Sequence, residues 1–353
     1  MTQLAAPGEG ITYEELQLAT RNRGMPLEGL RYDVTPVGLH YLLVHFDIPA
    51  VDPDTWRLAI DGAVATPLHL TLDDVRSRPA RTVPVTLECA GNGRARLSPR
   101  PISQPWLLEA VGTAEWTGTP LRGILDDAGL GDDVVDVVFT GADRGVQGDL
   151  EQAYQRALPP SEALRDEVML VYEMNGRPLE PQHGFPLRLI VPGWYGMTHV
   201  KWLTRIEAMT TPFAGYQHEA YRYIQAEGEQ GEPVTRMKVR ALMVPPGVPD
   251  FFTRTRLVGP GIVPITGRAW CGTAPVARVE VGVDGEWREA VLGAATGPWA
   301  WRQWSFDWEA SRGDHVVMCR ATDANGNTQP VEQPWNLNGM GNNLVQEVRV
   351  QVR

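Results

Sequence analysis

The sequence predicts an α+β protein, with a mixed α/β domain over residues 1–225 followed by an immunoglobulin-like β-sandwich over residues 226–353. Three observations predict it. At 353 residues the chain exceeds the usual size of a single hydrophobic core, which makes two domains the expectation. Its first part mixes helical spacing with strands that run straight into glycine-rich loops, whereas beyond residue 233 short strands follow one another with tryptophan at intervals. Between the two, around 211–233, the pattern dissolves into Pro, Gly, Gln and Glu, which sets the boundary.

Taken in order, Tyr41-Leu42-Leu43-Val44 reads as a strand stopped by Pro49. Trp56 to Gly62 alternates and ends at Asp61-Gly62, a strand with a hairpin-type turn. Thr71 can cap a short helix with Asp73 and Asp74 in its first turn, where the helix dipole favours negative charge. Residues 82–88 form a strand that delivers the chain into Cys89-Ala90-Gly91-Asn92-Gly93-Arg94. Leu121, Ile124, Leu125 and Ala128 have helical spacing ending at Gly129, and residues 134–140 form a buried strand. Asp143 ends that strand, and Tyr154 opens a loop. Arg188-Leu189-Ile190-Val191 runs into Pro192-Gly193. In the second domain Val279 to Trp287 is a hairpin turning at Asp284-Gly285, and about seven strands at this spacing suggest the sandwich.

A net charge of −11 argues against nucleic acid or an anionic membrane surface as a partner. No stretch has the length of a membrane span, and residues 1–10 lack a positive segment followed by an apolar run. The expectation is a cytoplasmic protein, or a periplasmic one if an export signal has been trimmed. Cys89, Cys271 and Cys319 form no zinc, disulfide-framework or haem-attachment pattern. Cys271, beside Trp270, and Cys319, in an apolar run, read as core thiols. His40, His69, His218 and His315 show no ligand spacing to one another.

Cys89 stands out for its neighbours. Two glycines and Asn92 let the backbone approach a ligand closely, and the Arg94 cation lowers a thiol pKa, giving a thiolate that is both a nucleophile and a soft metal ligand. A buried cysteine packed as a small hydrophobe fits the same local sequence. A second cluster holds His183, Arg188, His199 and Lys201 on glycine-rich turns next to strand ends, as phosphate-holding loops do, or as ordinary solvated loops do.

Together, Cys89-Ala-Gly-Asn, Tyr172-Glu-Met-Asn-Gly, His183-Gly-Phe-Pro-x-Arg188, Val191-Pro-Gly and His199-Val-Lys-Trp resemble the sulfite oxidase family of molybdopterin enzymes. The resemblance runs from Thr35-Pro36 to late landmarks at Ala269-Trp270 and Trp335-Asn336-Leu337. It implies a molybdopterin-binding catalytic domain followed by a dimerisation domain, and hence a homodimer. It implies molybdenum carried by one pterin dithiolene, with Cys89 as the protein's metal ligand. It further implies pterin or phosphate contacts from His45, Asp143, His183, Arg188, His199, Val200 and Lys201, an active-site tyrosine at Tyr154, and a substrate pocket containing Arg94 and Trp106. The implied chemistry is oxygen-atom transfer, with sulfite oxidised to sulfate and electrons passed to an external acceptor, a cytochrome or dioxygen, since the chain carries no haem motif.

Two departures bear on substrate. Leu43 stands where the family has an anion-binding arginine, and a second such arginine is replaced in the Gly272-Thr273-Ala274-Pro275 stretch. Each lost charge-assisted contact weakens sulfite binding by roughly 1.5–3 kcal/mol. The alternatives are a reductase acting on a sulfoxide or nitrate, and a non-catalytic scaffold in which Cys89 is structural.

Overall fold

Thr12 and Glu15 begin the fold with a reciprocal cap that the lack of periodicity before residue 50 conceals. The computed structural model describes residues 2–353, and in it the Thr12 hydroxyl accepts from Glu15 N at 3.2 Å while Glu15 Oε2 accepts from Thr12 N at 3.0 Å. This capping box starts helix α1 (Tyr13–Arg21). Residues 41–44 are not a strand. Leu42 makes only an isolated bridge to Arg23, and the segment runs extended through the interior with Tyr41 and Val44 buried.

Ten strands follow: β1 (Leu58–Gly62), β2 (Leu68–Leu70), β3 (Arg81–Glu88), β4 (Val111–Pro120), β5 (Asp136–Gln147), β6 (Leu150–Leu158), β7 (Met169–Met174), β8 (Arg177–Pro178), β9 (Arg188–Ile190) and β10 (Leu203–Met209). They form two sheets, ordered β2-β1-β10-β5-β6 and β3-β4-β7-β8, with β9 added against β7. Helix α2 (Leu72–Arg76) starts at the expected Thr71 cap, closed by Asp74. Helix α3 (Leu121–Ala128) buries Leu121, Ile124, Leu125 and Ala128 and stops at left-handed Gly129, as its spacing predicts.

Asp61-Gly62 is not a turn. Both residues stay in β1, paired in parallel with Glu207 and Ala208 of β10. Gly62 is needed for close approach, because a Cβ there would lie 2.2 Å from the Ala208 carbonyl oxygen. Strand β5 continues past residue 140 through a register shift between Thr140 and Arg144, so Asp143 sits in a bulge rather than at a strand end. Tyr154 lies within β6 rather than at the mouth of a loop. The β5–β6 hairpin turns at Gly148-Asp149, both at φ 63°, the backbone that a two-residue hairpin turn requires.

The second part is a two-sheet sandwich. One sheet orders Arg240–Met243, Gly261–Trp270, Arg302–Ala310 and Val291–Leu292. The other orders Val248–Pro249, Arg256–Val258, Gln346–Val352, Gly313–Asp323, Val276–Val283 and Glu286–Glu289. Strands exceed the expected seven because short edge pieces give no sequence signal. The hairpin turn falls at Asp284-Gly285 as predicted. Cys319 is in the core, but Cys271 is only half-buried, with Sγ 3.1 Å from Thr273 Oγ1. A small ladder pairing Arg222–Tyr223 with Glu232–Pro233 joins the two parts. Among the described residues no helix is long and apolar enough to cross a membrane.

A buried cluster holds the parts together, with Ala90, Tyr195 and Met197 packing with Met237, Leu242, Trp270, Trp301 and Met340. It lies directly behind Cys89.

Candidate active site at Cys89

Strand β3 ends at Glu88 and places Cys89 at the sheet's edge, where its amide donates to Ala110 O at 2.9 Å. Asn92 then folds the loop back. Its N–H donates to Cys89 O at 3.0 Å, its side-chain amide donates to Glu88 Oε1 at 3.0 Å and Leu108 O at 3.1 Å, and its carbonyl oxygen accepts from Ala110 N at 3.1 Å. Glu88 is buried and is gripped by the second domain. Arg240 Nη1 donates to Oε1 at 2.6 Å and Trp270 Nε1 to Oε2 at 2.8 Å. The Arg94 guanidinium lies against Gly91, where a Cβ would come within 2.8 Å of it.

Cys89 is buried at the meeting point of two cavities, which share Leu43, His45, Cys89 and Tyr221 as a common wall. Burial raises its thiol above the ordinary cysteine value, only partly opposed by the Arg94 cation. The lowered pKa expected from Arg94 is therefore not found, because desolvation outweighs one guanidinium.

The inner cavity gathers His45, Asp143, Tyr154, His183, Arg188, His199 and Lys201 around Cys89. Its cations have few anions to answer them. Burial pushes His183 down to about 2 and His199 to about 3, Lys201 to about 7 and Arg188 to about 10. Asp143, the nearby carboxylate, is itself raised to about 6 by burial despite Lys201. Lys201 Nζ donates to Leu43 O at 2.8 Å and Gln182 O at 3.1 Å. Arg188 stacks on Trp116 and donates to His183 O at 2.9 Å, leaving its Nε without a partner. Asp143 Oδ1 is likewise unpartnered.

Not every expected residue presents a free group. His199 Nδ1 accepts from Val191 N at 3.0 Å and Nε2 faces Trp194 O at 3.1 Å, so its ring is fully used by the backbone. Val200 turns its side chain into the core and its backbone pairs with Leu189 and Thr198, so it does not line the cavity. The Tyr154 hydroxyl donates to Met197 O at 2.7 Å, and burial holds its pKa well above the phenol range. Sequence reasoning missed His40 and Tyr41. His40 lies edge-on to His183 with centroids 5.9 Å apart, its Nε2 is unpartnered, and burial lowers it to about 4. No spacing to another histidine marks it in the sequence.

The outer cavity contains Arg94 and Trp106, together with Phe46, Gln104, Val146, Gln217 and Met340. Leu43 is on its wall, which Cys89 also lines. The Gly272 to Pro275 stretch reaches neither cavity; Gly272 packs on Gly193 and bonds Met237 instead.

Comparison with known proteins agrees with this arrangement. Residues 45–217 match the oxidoreductase molybdopterin binding domain, and residues 232–353 match the Mo-co oxidoreductase dimerisation domain. The chain is 35% identical over 346 residues to the mitochondrial sulfite oxidase of Mus musculus, covering 90% of this chain and 62% of that protein. It is 35% identical over 334 residues to sulfite oxidase of Gallus gallus, covering 87% and 71%. It is also 32% identical over 354 residues to nitrate reductase [NADH] 1 of Oryza sativa subsp. japonica, covering 90% and 38%. The chain thus spans less than two thirds of the length of the mouse protein. In fold it matches the sulfane dehydrogenase SoxCD from Paracoccus pantotrophus, with a TM-score of 0.81 over 98% of this chain and 93% of that one at 24% identity.

Proposed function

Because the chain belongs to the sulfite oxidase family of molybdopterin-dependent oxidoreductases, we propose that it is an enzyme transferring an oxygen atom to or from a small sulfur compound at a molybdenum held by Cys89. The observation that carries this reading is the pairing of one buried thiol with a cavity of uncompensated donors. A pterin dithiolene bearing a phosphate supplies the anionic charge this cluster lacks, and the orphaned Arg188 Nε and His40 Nε2 are polar atoms such a group would satisfy. When bound, the group supplies two-electron oxygen-atom chemistry, which protein side chains do not provide on their own.

The chain's own residues then have separable tasks. Cys89 offers the soft sulfur, fixed by the Asn92 turn and by Glu88. Arg188, Lys201 and His183 hold anionic oxygens. Asp143, with its Oδ1 unpartnered and its carboxyl raised by burial, would bond a nitrogen of the bound group. Tyr154, kept as a neutral phenol, orients the Met197 turn beside Cys89 and offers an oxygen to the reacting centre. Sulfite is the first substrate to test, given the names of the relatives. Electrons pass to an external one-electron acceptor, and the second domain pairs two copies of the chain.

The test is molybdenum content together with sulfite-dependent ferricyanide reduction on one sample. Near-stoichiometric metal with turnover supports the reading; no metal after expression in a cofactor-competent host refutes it.

A further inference from the structure

The two cavities meeting at Cys89 differ in charge. The inner one carries Arg188 and Lys201, with Asp143 and a His183 that burial keeps neutral, whereas the outer one carries one permanent cation, Arg94. That cation is already engaged, with Nε donating to Asn338 O at 3.1 Å and Nη1 to Gln104 O at 3.4 Å. His45 adds no charge, because burial lowers its pKa and its Nε2 bonds Gln147 Oε1 at 2.8 Å. Leu43 puts an alkyl group on the wall that Cys89 also lines. A dianion placed here would lose most of its hydration and find a single cation in return, an unfavourable exchange.

What the outer wall does offer is neutral. Gln217 Nε2 is a buried N–H donor with no acceptor, its residue 1% exposed, and the Trp106 indole N–H faces the Cys89 sulfur. An unsatisfied donor in a native interior calls for a partner, and a single uncharged oxygen suits it. Leu18, Phe46, Val146 and Tyr216 line the outer cavity too, among the polar Asn22, Ser103 and Gln147, and Val146 is 70% exposed. Contact with an apolar body would remove that surface from water.

We infer that the outer cavity takes an uncharged sulfur compound with an apolar substituent, a thioether or its sulfoxide, in preference to sulfite. This rests on the oxygen-atom-transfer reading above. The couple balances as sulfoxide plus two protons and two electrons giving thioether plus water. The S=O bond breaks, and sulfur gains the electron pair from a one-electron carrier acting twice. In reverse, water supplies the oxygen and the carrier takes the electrons.

The experiment uses molybdenum-loaded protein with its metal content measured. Methyl phenyl sulfoxide is offered with reduced viologen, and methyl phenyl sulfide and sulfite are each offered with ferricyanide. The sulfoxide or the sulfide is expected to exceed sulfite at least tenfold in kcat/KM, and Leu43→Arg is expected to reverse the preference by lowering the KM for sulfite. A tenfold preference for sulfite in loaded wild-type protein overturns this inference while leaving oxygen-atom transfer intact, and so does a Leu43→Arg variant, loaded with metal, whose substrate ratio is unchanged. Protein without molybdenum overturns the underlying reading and this one with it.

Discussion

Replacing Arg240 by methionine tests whether the second domain holds the Cys89 loop in place. Arg240 and Glu88 pair at 2.6 Å, each side chain 2% exposed. Removing one member of such a pair strands a buried charge and costs about 3–5 kcal/mol. Two features place the value within that range. Trp270 and Asn92 continue to donate to Glu88, and Arg240 takes away its own unpartnered Nε and Nη2, each a penalty of about 1–3 kcal/mol. Both move the expected loss to the lower end, about 3 kcal/mol. Urea unfolding of the metal-free protein measures it, and a Cys271→Ser background lets the labelling rate of Cys89 report loop opening. Glu88→Gln combined with Arg240→Met is expected to regain most of the loss, since no buried charge remains. A single variant that loses less than about 1 kcal/mol, the worth of an exposed ion pair, would refute the reasoning, as would a double variant no more stable than the single.

Cys89→Ser exchanges a soft sulfur for a hard oxygen and is expected to abolish turnover with an unchanged circular dichroism spectrum; retained turnover removes Cys89 from the metal. Tyr154→Phe deletes the bond to Met197 O and is expected to lower stability by about 1 kcal/mol and kcat by at least about tenfold, within the range of acid–base and donor effects; an unaltered kcat confines the hydroxyl to the Met197 turn. In the metal-free protein His40, His183 and His199 are held at about 4, 2 and 3. Between about 4 and their ordinary value near 6.5 the unfolded chain binds protons that the folded one refuses, so stability rises with pH and is lost on acidification. Asp143, raised to about 6, and His315, raised by Asp284, run the other way but are outnumbered. Calorimetry is expected to show a lower Tm at pH 5 than at pH 7; equal Tm values at the two pH values would contradict the account of histidines held neutral by burial.

The features legible in the sequence are those set by neighbours along the chain. Strand β3 running into the Cys89 loop, the Thr71 cap and the Gly129 stop each depend on residues within four positions, where local propensity decides. Asp143 and Tyr154 were found as residues but misplaced as structure, because a bulge at 141–143 breaks the alternation that marks a strand and so imitates its end. His40 carried no ligand spacing, since its relation to His183 is made by folding across 143 residues. Glu88 and Arg240 lie 152 residues apart. Nothing near either one marks it as half of a buried pair.

That pair is one of four attachments that bring the second domain to the Cys89 loop. Arg240 and Trp270 take Glu88, Gly341 N donates to Ala90 O at 2.7 Å, Asn342 Nδ2 donates to Gly93 O at 2.8 Å, and Asn338 O accepts from Arg94. Between residues 88 and 94 the loop is thus fastened on both sides of Cys89 by a domain whose sequence match names it for dimerisation. Gly93, left-handed at φ 91°, is packed against Asn342, which a Cβ would approach to 2.9 Å. A loop with this many partners in another domain has little freedom of its own, because shifting it breaks several buried hydrogen bonds at once, each worth about 1 kcal/mol. The sulfur's position is therefore set by how the two domains pack, and a substitution in the cluster between them, near Trp270 or Trp301, reaches Cys89 by moving the residues that hold Glu88.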